Sequence, residues 1–241
     1  MDGSSALKMY RKKKKYTVNQ LAAIIDISQK TITEYENEDT ERNITSIAAI
    51  KAIQLFKELE IDIDVFFDTY YPYKEELQLR KAKREDEIIP TNLTYAKLKK
   101  RIVSRLSHIK ERNKVSLDVS THLYHLYTKT FDELYSIVNS KDLVTKSNYI
   151  EFILPLLYEI RKQTCEFPTN TAGQCVIDAV FRTAFDFTDI AELCDCNPHH
   201  FMACIKERKY TFKNMKIKTV LSLCYILNIS IYDLLIHPNE Q

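Results

Sequence analysis

From Gln29 to Glu36 the chain sets polar side chains of one kind along a short segment: Gln29, Lys30, Thr31 and Thr33, with Ile32 and Tyr35 between them as apolar positions. On a helix these groups can read base edges. A Gln amide pairs bidentately with adenine, a Lys ammonium donates to guanine, and a Thr methyl touches the thymine methyl. Thr17, Gln20 and Asn37 flank the segment and suit hydrogen bonds to phosphate. The run Arg11-Lys12-Lys13-Lys14-Lys15 adds charge, with Lys12 and Lys14 expected at phosphate. A cationic run of this kind fits either a solvated helix face or a nucleic-acid backbone.

Other chemistries find less support. The histidines at 108, 122, 125, 199, 200 and 237 have no nucleophile motif beside them, and no HExxH or Gly-rich phosphate loop occurs. No catalytic residue, no enzyme activity and no cofactor are expected.

The elements that must hold these side chains are helices. The 241 residues contain 2 Gly, 6 Pro and no Trp, too few breakers for the turns of an all-β chain. Hydrophobic residues make up 45%, enough for real cores, and no apolar stretch approaches the length of a membrane span. No signal segment precedes the first helix, and the six cysteines fit reduced thiols, so a cytoplasmic location without membrane association is expected. Thr17-Val-Asn-Gln20 is a capping box, and Ser28 can cap the helix that carries Gln29 to Glu36. Helix, tight turn at Asp26-Ile-Ser28 and second helix form a helix-turn-helix outline.

At these residues the chain resembles the Xre/phage-repressor (lambda-repressor-like) helix-turn-helix family. The match rests on Leu7…Arg11, Thr17…Gln20-Leu21-Ala22, Ile27-Ser28-Gln29, Thr31-Ile32-Thr33, Tyr35-Glu36 and the closing Ile61 to Phe67, and covers nearly all of residues 5–68. The resemblance implies that residues 29–36 form the recognition helix and that Thr17, Gln20 and Asn37 touch phosphate. It also implies that Arg11 pairs with Glu36 as a scaffold. Two positions depart from the family: Val18 replaces a phosphate-anchoring Gln, and Asn37 replaces a Gly, whose left-handed conformation it tolerates.

The pattern returns near the C-terminus. Ile190-Ala191, Cys196, Asn197, Phe201 and Cys204 fall on Leu21-Ala22, Ile27, Ser28, Ile32 and Tyr35, which gives a second Xre-like unit over residues 172–236. This register decides a further question. Cys194, Cys196, Cys204, His199 and His200 could suggest zinc, but the three cysteines fall on Ile25, Ile27 and Tyr35, so core packing is expected and no metal. In the middle, Ser116, Leu123, Leu126 and Phe131 can be laid on Thr17, Ile24, Ile27 and Ile32 as a degenerate third copy.

The expected architecture is all-α, with tandem small helical domains of the helix-turn-helix repressor type. An N-terminal DNA-binding domain spans 1–70, a charged helical connector 71–90, a middle helical domain 91–167 and a C-terminal Xre-like domain 168–241. Lys and Arg exceed Asp and Glu by 11 to 5 over residues 71–110, whereas residues 168–241 carry 7 against 8. The function expected is a sequence-specific regulator of transcription on double-stranded DNA, a repressor. The competing reading is a helix-turn-helix scaffold used as a protein-interaction module, such as an antirepressor or anti-defence inhibitor. In the C-terminal copy Pro198, His199 and Met202 stand where the first has Gln29, Lys30 and Thr33, which favours protein contacts there. A homodimer through the middle or C-terminal domain is expected, reading a palindrome. Room is left for a small-molecule or peptide effector that the sequence does not identify.

Overall fold

The computed structural model describes residues 2–39, 43–89, 93–111, 115–138, 143–164, 171–206 and 211–235. Among them the chain is all helical apart from two isolated bridges, and no helix is long and apolar enough to cross a membrane.

The first unit holds α1 (Gly3–Lys13), α2 (Val18–Ile24), α3 (Gln29–Tyr35), a 3₁₀ turn (Ile44–Ser46), α4 (Ala49–Glu58) and α5 (Ile63–Tyr70). Local chemistry sets these ends. Asp2, Thr17, Ser28 and Asp62 cap α1, α2, α3 and α5 by accepting a backbone N–H three residues on. Lys15, Asp26 and Glu60 take left-handed backbone at the three turns. The left-handed residue of the helix-turn-helix turn is therefore Asp26. Asn37, which tolerates a left-handed conformation, does not take it here; its Oδ1 accepts from the Asp39 N–H at 3.2 Å. Leu7, Leu21, Ile25, Ile32 and a cluster of Phe56, Phe66 and Phe67 fill the centre, with Phe56 and Phe66 edge to face at 4.9 Å.

α6 (Lys74–Ile88) follows and does not float as a spacer. It packs on the C-terminal unit, where Arg84 grips Asp189 at 2.5 and 2.7 Å and Arg80 grips Asp195 at 3.0 and 3.2 Å. Two of the connector's cations, Arg80 and Arg84, are thus structural. Beyond the connector, Lys97, Lys99, Lys100, Arg101 and Arg105 are exposed.

The middle region contains α7 (Tyr95–Glu111), α8 (Leu117–Val138), α9 (Lys146–Asn148), a π-helical turn (Tyr149–Ile153) and α10 (Leu154–Thr164). Its core is separate, built on Leu98, Ile102, Leu123, Phe131, Leu134, Ile153 and Ile160. The suggested third copy is not formed here. Ser116 does cap α8, but Leu117–Val138 is one unbroken helix of 22 residues, so the positions laid across a helix-turn-helix turn stay helical.

The C-terminal unit comprises α11 (Thr171–Phe181), α12 (Phe187–Leu193), α13 (Pro198–Lys206), a 3₁₀ turn (Phe212–Asn214), α14 (Ile217–Leu227) and α15 (Ile231–Leu235). Its element order repeats that of the first unit. Its buried residues join those of the first unit in one continuous apolar core.

Candidate nucleic-acid interface

The site is built on a clamp. Arg11 leaves the last turn of α1 and donates from Nε to Glu36 Oε1 at 2.6 Å and from Nη2 to Oε2 at 2.7 Å. Its Nη1 donates to the Tyr16 carbonyl at 2.7 Å. One guanidinium therefore ties the end of α1, the α1–α2 turn and the end of α3 together. Both side chains are nearly closed to solvent, and the hydrogen bonds to Glu36 hold the Arg11 pKa above its ordinary value. Tyr16 passes the connection on to Glu58 at the end of α4.

The capping box places α2. Thr17 Oγ1 accepts from the Gln20 N–H at 3.1 Å, and Gln20 Oε1 accepts from the Thr17 N–H at 2.9 Å. The Gln20 carbonyl is thus taken up locally, and its NH₂ group is the part not used by the cap. Both residues are exposed.

α3 then presents three of the four expected reading residues. Gln29, Lys30 and Thr33 are exposed, and the Thr33 hydroxyl donates to the Gln29 carbonyl at 3.1 Å. The Lys30 ammonium lies 3.8 Å from Glu34, a weak contact along the helix. Thr31 corrects the sequence expectation. It is buried at 9% exposure, and its hydroxyl lies 2.8 Å from Ser28 Oγ, because the Ser28 cap draws this side chain back under the turn. Thr31 serves the turn rather than an outward face.

The cations separate as well. Lys12 is exposed on the last turn of α1, while Lys14 lies 2.5 Å from Glu60, whose carboxylate it holds below its usual pKa. Lys51 on α4 lies 3.0 Å from Asp26. Nothing in the sequence around Lys51 marked it, since its partner sits in a turn 25 residues earlier.

The cysteines of the suspected zinc set are buried or half-buried. Cys194 and Cys204 are buried and Cys196 is partly so, and burial pushes the Cys194 and Cys196 thiols up. Among the described residues no cluster of three His, Cys, Asp or Glu is placed to hold a metal. His237, Arg208 and Lys209, also noted in the sequence, lie outside the described residues. Metal analysis of the reduced protein should give no stoichiometric zinc, and Cys196→Val should shift stability by less than about 1.5 kcal/mol. One zinc per chain, lost with Cys196, is the opposite result.

Comparison with known proteins places this geometry. No curated protein and no solved structure gave a match. A helix-turn-helix family matches residues 7–66, from the first core leucine of α1 to the aromatic cluster of α5. With its capped α2, left-handed turn and clamped α3, the segment 7–66 is a helix-turn-helix domain.

Proposed function

We propose that the chain is a cytoplasmic, sequence-specific regulator of transcription that represses by occupying double-stranded DNA, with α3 in the major groove. The observation that carries this reading is the exposed Gln29, Lys30 and Thr33 face at the start of a helix fixed at its far end by Arg11 and Glu36. In a helix-turn-helix that end of the second helix meets base edges. Thr17, Gln20, Asn37 and Lys12 are assigned to phosphate, and no catalytic step is required of any residue. Selection of bound duplexes from random DNA with the full-length protein tests the reading. Enrichment of one motif supports it, and an unenriched pool rejects it in favour of the protein-interaction scaffold.

The two expected lysines then differ in weight. Lys12→Ala should lower affinity on every sequence alike and flatten the dependence of log K on log salt by about 0.9, the value of one released counterion contact. Lys14→Ala should do less, because Glu60 already offsets that charge. Titrations at several salt concentrations measure both slopes.

A further inference from the structure

The N-terminal and C-terminal units meet at a contact that maps onto itself. Ala48 and Lys216 form an antiparallel bridge, with the Ala49 N–H donating to the Met215 carbonyl and the Ile217 N–H to the Ile47 carbonyl, both at 2.8 Å. Each of these residues has its counterpart 168 positions away. The 3₁₀ turns at Ile44–Ser46 and Phe212–Asn214 have the same spacing, as do the starts of α4 and α14 and the left-handed residues Glu60 and Asn228. The surrounding packing is reciprocal: α4 lies on the second 3₁₀ turn and α14 on the first. A contact in which residue i meets its own equivalent is the isologous, two-fold kind found between identical subunits.

Resting on the DNA-reading function above, we infer that the C-terminal unit is the N-terminal unit's built-in two-fold partner and that only the N-terminal half reads bases. One chain therefore occupies one asymmetric, non-palindromic duplex element. The two halves keep the same turn, with Asp26 matched by Asp195 at φ 51° and 52°, and the same caps, Thr17 with Gln20 matched by Asp186 with Asp189. They differ where DNA would be touched. Gln29, Lys30 and Thr33 correspond to Pro198, His199 and Met202, and the phosphate-facing cap is acidic in the second half, with Asp189 already held by Arg84. A surface that would otherwise recruit an identical reader is covered in cis by a unit that does not read.

The test joins the bridge covalently. Residues paired as Ala48 and Lys216 are, between flanking hydrogen bonds, lie about 4.5 Å apart at Cα, within disulfide range. In full-length Ala48→Cys/Lys216→Cys the bond should form within one chain, shown by peptide mapping at monomer mass. The oxidised protein should select the wild-type motif with affinity within about threefold, one chain per duplex by sedimentation. That motif should be non-palindromic, changed by Gln29→Ala and unchanged by His199→Ala. A disulfide-linked dimer, loss of binding on oxidation, or a palindrome held by two chains across it overturns the inference while leaving the DNA-reading function standing. Absence of any selected motif removes that function, and this inference with it.

Discussion

Arg11→Met should unfold the N-terminal unit far more readily than any surface change. Removing one partner of a buried, hydrogen-bonded ion pair leaves the other charge without compensation, which costs about 3–5 kcal/mol. The Arg11 and Glu36 side chains retain only 9% and 5% of their exposure, so the lower end of that range is a fair expectation. For a chain of this size a loss of about 3 kcal/mol lowers Tm by roughly 6–12 °C. Glu36→Gln should behave similarly, since a neutral amide cannot replace both charge-assisted contacts. The double variant Arg11→Met/Glu36→Leu should recover much of the loss, because well-packed apolar side chains often replace a buried pair at little cost. The protein contains a natural example of that solution: the corresponding residues of the second unit, Val180 and Ile205, are both buried. Thermal melts of the four-member cycle give the coupling directly. Single variants as stable as wild type would show that the clamp carries no stability.

What the sequence made legible was local. Thr17 and Gln20 stand three apart, as their reciprocal bonds require, and Ser28 precedes the helix it caps. Arg11 and Glu36 were placed together by family resemblance, since nothing in a separation of 25 residues marks them as neighbours. The burial of Thr31 was missed because a helix of seven residues has too little periodicity to rank its polar positions. It was settled by the Ser28 hydroxyl, a contact between two polar groups that hydrophobic patterning does not weigh. The left-handed residue of the α2–α3 turn is Asp26, a residue type that tolerates positive φ.

The self-paired bridge was the least visible feature. Ile47-Ala48-Ala49 and Met215-Lys216-Ile217 are too short to show strand alternation, and two single residues 168 positions apart leave no local trace. With Pro198, His199 and Met202 laid on Gln29, Lys30 and Thr33, the sequence favoured a protein-contact role for the second unit. It could not show that the partner was the first unit of the same chain. Likewise Arg80 and Arg84 looked like connector charge, and only the fold of α6 onto α12 turned them into ties to Asp195 and Asp189.

The base-reading assignment makes the second large prediction. Gln29→Ala should weaken binding to the selected motif by about 1–3 kcal/mol, a loss of roughly 5- to 150-fold, with non-specific affinity almost unchanged. The asymmetry follows from chemistry. A Gln amide sets an NH₂ donor beside a carbonyl acceptor on a rigid plane, a pairing that one base edge satisfies and others do not, whereas non-specific affinity comes from cations such as Lys12. Gln29 is exposed, so truncating it should not disturb the fold, and stability should hold within about 0.5 kcal/mol of wild type. Thr33→Ala should cost less than Gln29→Ala, because its hydroxyl proton is committed to the Gln29 backbone carbonyl and only the apolar contact of its methyl is lost at the base. Thr31→Ala should act through stability, since it removes the partner of Ser28, and the motif it selects should be that of wild type. Competition binding against motif and scrambled duplexes at one fixed salt separates these outcomes. If Gln29→Ala and Thr33→Ala both keep the wild-type preference, α3 is not the reading helix.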